Sequence, residues 1–479
     1  MRLLAQDSSP LWWRLPVMFL ALAFPVMVLT AIFAPPAQSP DEVAHLVRAN
    51  GLLHGHVFLT RQPVPHPAPN QPQNEVGVGI DSGLFKAGFG FITPMQGRWV
   101  VTASDAAKLE ALEWSHQQIF SNIPNTATYF PLAYVPDAIG LGVGMLLGVS
   151  PFHSILLGRL VNMLAYLALG VVALLVARRG RAVFLAILLL PMSLFLGATL
   201  DQDGLLIALT CLACAGFTRG SLAGHVLALA AFVVVALAKP PYLLLMVIFA
   251  LPLAWAGFWR RACAVVLVSL PVLAWVGFVM AFVAVPFGKP LYHPGPLFQG
   301  GLGGVMGTTD PALNLHILLA HIGRFFTLPV HTASLFGVNW LQGMVGMLGL
   351  QDIVFPAWFY NLWWGVLAFS FLMVAFSVAP FKGPGRIGWL NNIVVLVVVC
   401  ITIWAVMISF YLNWTNVGMD FIDGIQGRYA LLILPFLVFA VPATRLRLPE
   451  SVGLAPVLLL GVFDIAYIPF KLVMFYLPH

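Results

Sequence analysis

The chain is poor in charge. Of its 479 residues only 8% are Asp, Glu, Lys or Arg, whereas 60% are hydrophobic; soluble proteins carry about 25% charged residues. So little charge cannot furnish a water-facing surface for a chain of this length, which excludes a string of soluble domains. Cysteine is scarce too. Four cysteines exclude a disulfide framework, and Cys211, Cys214, Cys263 and Cys400 lie in or at the start of apolar runs, where each reads as a small buried hydrophobe. The excess of 23 Lys+Arg over 17 Asp+Glu is not pooled into a patch, so nucleic acid is not an expected partner. What remains is an all-α polytopic integral membrane protein, with one membrane domain over residues 1–479.

A helix needs about 20 apolar residues to cross a bilayer. The run from Trp12 to Phe33 has them, with Arg2 and Arg14 before it, so it enters from the cytoplasm. It is read as a retained anchor, although Ala34-Pro35-Pro36-Ala37-Gln38 has the small residues of a cleavage region. Ser154 to Ala177 is a second run, closed by Arg178-Arg179-Gly180-Arg181, and that basic cluster sends it inward. Tyr129 to Val149, broken by Pro131, Pro136, Asp137 and glycines, therefore reads as a juxtamembrane or re-entrant segment.

Further runs near 182–200, 204–219, 222–238, 241–258, 263–285, 356–379, 389–411, 429–443 and 453–475 bring the expectation to about eleven spans. The N-terminus is then inside and the C-terminus outside. Arg219, Arg260-Arg261, Lys382/Arg386 and Arg445/Arg447 all fall on inner turns in this alternation. The outer side carries two long loops, 35–153 and 286–355, rich in Trp, His, Asn, Gln, Gly and Pro. Long loops of this kind point to an outward-facing site.

Ionisable groups at membrane depth are costly and suggest function. Those near the outer ends of spans are Asp41, Glu42, His45, Arg48, Arg159, Asp201, Asp203, Lys239, Asp420, Asp423 and Arg428. In Ser39-Pro40-Asp41-Glu42, Ser39 fits a helix N-cap, Pro40 the first position, and Glu42 the third position of a capping box. Asp41, His45 and Arg48 share one helical face, with Val43, Leu46 and Val47 opposite, as in an amphipathic helix on the outer leaflet. Asp41 is left with either helix-dipole stabilisation or chemistry. The segment lacks the first histidine of a zincin motif, and neither a metal nor another cofactor is expected.

Arg159, one turn into its span, either snorkels or binds an anionic headgroup. Asp203 begins a helix and reads as its N-cap, beside Asp201. Lys239 is held by Pro240-Pro241 as a phosphate contact or a topological stop. Arg428, in Gln426-Gly427-Arg428-Tyr429, sits on the side that basic residues avoid, which marks it as an anion ligand. Asp464, deep in the last run, has no evident role.

Taken together, Pro40-Asp41-Glu42 with His45 and Arg48, Tyr129-Phe130-Pro131-Leu132-Ala133-Tyr134, and Gly158-Arg159-Leu160-Val161-Asn162 resemble a bacterial membrane family. Leu190-Pro191-Met192 with Asp201 and Asp203-Gly204, Ala238-Lys239-Pro240-Pro241-Tyr242 and Gln426-Gly427-Arg428-Tyr429 extend the likeness in order along the chain. The family is domain of unknown function 2142, related to the GT-C superfamily of lipid-linked-sugar glycosyltransferases. The resemblance implies a GT-C-like helix arrangement in the bacterial inner membrane and a periplasmic active site. It further implies transfer of a sugar from a polyprenyl-phosphate donor to a cell-envelope glycan or lipid acceptor. In that superfamily an acidic residue of the first outer loop is the base, a place that Asp41 occupies here.

The expected site is then Asp41 and Glu42 as catalytic carboxylates, with His45, Arg48, Arg159, Asp201, Asp203, Lys239, Gln426, Arg428 and Tyr429 binding substrate. The lipid tail would lie in an apolar groove between spans. Two rival readings are a lipid-linked-sugar flippase, which calls for internal repeats and mid-membrane charges, and an O-antigen-type polymerase. The chain shows no clear repeat, and its polar residues gather at one side.

Overall fold

Apolar helices organise the protein. The computed structural model describes residues 13–65, 72–95, 98–253, 257–286, 288–292, 301–377 and 385–477. Arg2 and Lys382, read above as topological charges, lie outside them. Helix α1 (Arg14–Phe33) leads to α2 (Glu42–Leu53), α3 (Ser82–Phe89), α4 (Ala103–Glu110) and α5 (Val135–Leu146). Next come α6 (Pro151–Val176), α7 (Arg181–Leu189), α8 (Pro191–Gly197), α9 (Gln202–Phe217), α10 (Leu222–Ala238) and α11 (Phe258–Phe278). The chain then forms α12 (Pro311–Ala320), α13 (Arg324–Gly346), α14 (Ala357–Val374), α15 (Gly385–Asn413) and α16 (Glu450–Tyr476).

Among the described residues, six helices are long and apolar enough to cross a membrane: α1, α6, α11 with its continuation to Val283, α14, α15 and α16. The count rises to eight if α8 with α9, bent by 118°, and α12 with α13, bent by 109°, each make one span. The expectation of about eleven spans is corrected accordingly. Helices α9 and α10, of 16 and 17 residues, are short for a span, and elsewhere proline is the physical reason, since it removes an N–H and breaks a helix. Pro191 splits the run 182–200 into α7 and α8, and Pro240-Pro241 opens a 3₁₀ run, Pro240–Ala250, of 11 residues. The segment 429–443 likewise becomes two 3₁₀ turns, Gly427–Leu432 and Leu434–Phe439, with Pro435 at the start of the second. Apolar runs fix where the chain is buried, not that each is one continuous helix.

Arginines close one end of the bundle by satisfying carbonyls that helix ends leave free. Arg179 donates to the carbonyls of Val438 and Val441, at 3.2 and 2.6 Å, and Arg219 to that of Val176 at 3.0 Å. Arg261 donates to Ala250 and Pro252, and Arg181 pairs with Glu450 at 2.9 Å. Of the cysteines, Cys211 and Cys214 are buried as expected; Cys263 and Cys400 are instead exposed on helix surfaces.

At the opposite end, the polar stretch after α1 is folded. Strands Gly77–Asp81 and Gln118–Asn122 pair antiparallel, and Asp81 caps α3 by accepting from Gly83 and Leu84 at 2.8 and 3.1 Å. Thr102 and Asp105 form a capping box at α4. Helix α2 is not spread on a leaflet: from His45 to Gly51 every residue is buried. Helix α5, of 12 residues, is too short to cross a bilayer alone and packs along α6.

That packing depends on Gly140. A Cβ there would stand 2.5 Å from the Cα and 2.6 Å from the N of Gly158, and would also strike the Leu157 carbonyl. All three are backbone atoms, which cannot give way as a side chain does. Gly140→Val should therefore destabilise the protein by about 1–3 kcal/mol, seen as a lower thermal midpoint in detergent. An unchanged midpoint would show that α5 is not clamped to α6.

Candidate functional site

Helix ends meet at the end of the bundle opposite Arg179, Arg181, Arg219 and Arg261. The first is the start of α2, where Asp41 is the N-cap residue in the left-handed region, with φ 62° and ψ 10°. Aspartate is among the few residues that tolerate this conformation. Its side chain makes no cap bond. It accepts instead from Asn125 Nδ2 at 3.0 Å, lies 3.5 Å from Arg428 Nη2, and stays 40% exposed. The expected capping box, with Ser39 as cap and Glu42 at the third position, is thus corrected: the helix starts two residues later than Pro40, at Glu42 itself.

Glu42 turns away from Asp41. Its carboxylate, 3% exposed, accepts from Arg159 Nε and Nη2 at 2.8 Å each, and from the Leu200 N–H at 3.2 Å. The other donors of Arg159 reach the carbonyls of Ala31, Ala34 and Pro35 at the end of α1, at 3.0, 2.6 and 3.2 Å. One planar fork thereby ties α1, α2 and α6 together. Glu42, expected as catalytic, and Arg159, expected at the headgroup, both have structural posts. Arg48 does too: it is fully buried and donates to the carbonyls of His56 and Val57 at 3.0 and 2.8 Å.

The remaining expected residues converge. Asn162 donates to the carbonyls of Thr199 and Asp201 at 2.9 and 3.1 Å and so shapes the turn before α9. Asp201, not Asp203, is the N-cap there, accepting from the Asp203 N–H at 2.7 Å. Its other oxygen lies 3.1 Å from Arg428 Nη1, and His45 Nε2 stands 3.7 Å from its first. Asp203 pairs with Lys239 at 2.6 Å and lies 3.5 Å from Arg428 Nε. Lys239 and Arg428 also sit over the Tyr429 ring, at 4.6 and 5.4 Å.

Arg428 reaches this place because Gly427 packs flat on α13: a Cβ at Gly427 would lie 2.5 Å from the Met344 N and collide with the Trp340 carbonyl. Tyr242 Oη donates to the Tyr429 carbonyl at 2.8 Å, joining the two 3₁₀ segments. Gln426 Oε1 is buried with no hydrogen-bond partner among the described residues.

Three members were not singled out from the sequence as site residues. Tyr134, fully buried, shares a hydrogen bond of 2.8 Å with His45 Nδ1. Tyr129 feels Tyr429, Asp203, Asp41 and Arg428; burial foremost, then those neighbouring anions, push its phenol well above its ordinary value and keep it neutral. Asp137, fully buried on α5, has neither carboxyl oxygen bonded among the described residues. Burial foremost, then Asp201 and Glu42 nearby, pushes its carboxyl well above the usual carboxylate range. Tyr129 and Tyr134 frame the Tyr129–Tyr134 motif, which could have flagged them.

The outcome is three carboxylates, Asp41, Asp201 and Asp203, interleaved with two cations, Arg428 and Lys239, and edged by His45. Only Asp41 among the three carboxylates is substantially exposed; the side chains of Asp201 and Asp203 are 0% and 8% exposed. Solvent or substrate therefore meets Asp41 first, with the cations behind it.

The buried Glu42–Arg159 pair yields a stability test. Arg159→Met leaves the Glu42 carboxylate uncompensated and should cost about 3–5 kcal/mol. Adding Glu42→Met should recover much of that loss, because no buried charge is then left unpaired. Thermal unfolding of the two variants in detergent checks this, and equal losses in both would reject the pairing.

The family described as a predicted membrane protein, domain of unknown function 2142, matches residues 24–440, and the chain belongs to it. No curated protein and no solved structure matches the chain.

Proposed function

From this membership and the geometry at α2, we propose that the protein is a GT-C-like glycosyltransferase. It moves a sugar from a polyprenyl-phosphate donor to a cell-envelope glycan or lipid acceptor at the periplasmic face of the inner membrane. In this reading the end that carries the acid cluster faces the periplasm and the arginine-closed end faces the cytoplasm. The N-terminus is then cytoplasmic and the C-terminus periplasmic, and no cofactor takes part.

The observation that carries the reading is the position of Asp41: an exposed carboxylate, in a left-handed backbone conformation, 3.5 Å from a buried arginine. Backbone strain of this kind gathers where a side chain must be aimed. Asp41 takes the proton from an acceptor hydroxyl as that oxygen attacks the anomeric carbon. The bond from that carbon to the phosphate oxygen breaks with inversion, and the electron pair leaves with the polyprenyl phosphate.

Arg428 and Lys239 stabilise the charge that grows on the leaving phosphate. At rest both are compensated, Lys239 by Asp203 and Arg428 by all three carboxylates. Protonation of Asp41 removes one of these compensating charges at the moment the phosphate gains its own. Arg428 thus couples the two ends of the reaction. Asp201, Asp203 and Tyr429 hold the cations in place, and His45 is an orienting group between Tyr134 and Asp201.

Asp41→Asn keeps the shape and loses the base. With purified protein in nanodiscs, radiolabelled polyprenyl-phosphate sugar and envelope lipid, it should lower turnover by about 10²–10⁴-fold, with an unchanged thermal midpoint. Transfer at the normal rate would remove Asp41 from the chemistry.

A further inference from the structure

Asp137 has no cation beside it. Among the described residues, Arg159 is committed to Glu42 and the carbonyls of α1, and Arg48 to the carbonyls of His56 and Val57. Lys239 and Arg428 are committed to Asp203, Asp201 and Asp41. The charged groups that Asp137 does feel, Asp201 and Glu42, are both anions. Asp137 is 0% exposed, and a carboxylate left there without an opposite charge is costly.

The packing of α5 on α6 shows what lies opposite it. A Cβ at Gly144 would stand 2.7 Å from the Cα of Ser154, and one at Gly140 would stand 2.5 Å from that of Gly158. Four residues back along α5 therefore correspond to four residues forward along α6. The next turn brings Asp137 to the level of Asn162, which is buried on the same face of α6 as Ser154 and Gly158. The turn before α9 closes the third side. A Cβ at Gly158 would touch both the Leu200 side chain, at 2.8 Å, and the Asp137 carbonyl, at 3.4 Å, and Asn162 Nδ2 donates to the Asp201 carbonyl. Gln202 is the next residue, the first of α9.

Three fully buried side chains thus gather at the 118° break between α8 and α9, and they are rich in unused oxygen. Both carboxyl oxygens of Asp137, Asn162 Oδ1 and Gln202 Oε1 have no hydrogen-bond partner among the described residues; the one unused donor there is Gln202 Nε2. Buried polar atoms are ordinarily satisfied, and four acceptors cannot be satisfied by one amide. Oxygen donors suit a hard cation, and a single carboxylate among neutral amides suits a single positive charge. Broken membrane helices hold such ions in this way, because the unwound backbone and the end of the first half-helix offer carbonyls.

We propose that Asp137, Asn162 and Gln202 bind one dehydrated alkali cation, for which sodium is the probe, at the break between α8 and α9. The ion ties α5 and α6 to the turn that carries Asp201, and so steadies the partner of Arg428 from behind. It lies outside the chemistry proposed above and does not rest on sugar transfer.

The test uses the purified full-length protein in detergent at constant ionic strength, with radiosodium binding and thermal unfolding in sodium chloride against choline chloride. Radiosodium should bind saturably, and sodium should raise the thermal midpoint above that in choline in a saturable manner. Asp137→Asn should abolish both effects, while its midpoint in choline stays at or above that of the unaltered protein, since the amide buries no charge. Gln202→Leu removes one ligand oxygen and should raise the sodium concentration for half-saturation by about tenfold or more. Glu110→Gln, on the exposed side of α4, should leave sodium binding unchanged.

Absence of saturable radiosodium binding overturns the site, as does saturable binding that survives Asp137→Asn or is indifferent to Gln202→Leu. A midpoint that ignores sodium but rises on acidification, in a manner lost with Asp137→Asn, means that a proton takes the place of the ion and equally overturns it. None of these variants alters Asp41, so sugar transfer stands or falls on its own assay.

Discussion

The guanidinium of Arg428 is the joint on which the site turns. It is buried, and in a low-dielectric setting an isolated charge is costly enough that its surroundings must supply the opposite sign. Those surroundings are drawn from the start of α2, the turn before α9 and, through Asp203, the end of α10. None of these segments adjoins another in sequence. Their ends are brought together because the alternative is an uncompensated cation among apolar helices, so the electrostatics of one side chain fixes the relative placement of several elements.

A second buried arginine, Arg159, plays a similar part beside that cluster. Arg159 joins Glu42 to the terminal carbonyls of α1 and so sets the angle at which α2 leaves the membrane helix. Asp41, immediately before Glu42, is aimed by that anchorage: once Glu42 is tied inward, the left-handed turn at Asp41 sends its carboxylate outward. Two adjacent acidic residues thus have opposite fates, one spent on architecture and one left accessible.

Much of the cluster was legible in the sequence for one physical reason. An Asp, Lys or Arg that ends an apolar run must find a partner at the membrane surface, and Asp41, Asp201, Asp203, Lys239 and Arg428 all bear that mark. The specific partners were not legible. Spacing along a helix placed Asp41, His45 and Arg48 on one face, yet Arg48 bonds a loop that follows its own helix, and Asp41 precedes that helix. Long-range pairings such as Glu42 with Arg159, 117 positions apart, leave no periodic trace. Tyr134 ends a single 3₁₀ turn, Pro131–Tyr134, and Asn125 sits in a turn, where hydroxyl and amide groups are common. The number of spans was misjudged because hydropathy reports burial, and the 3₁₀ segments at 240–250 and 427–439 are as buried as a helix would be.

The central claim is that a carboxylate and two cations act at the two ends of one breaking glycosidic bond. It is tested most directly by giving the purified protein a polyprenyl-phosphate sugar of known anomeric configuration together with envelope lipid, and reading the product by NMR. The account predicts a glycosidic linkage of inverted configuration, with one polyprenyl phosphate released for each sugar transferred. A product of retained configuration, or sugar-lipid that crosses the membrane unchanged with no new linkage, would contradict it.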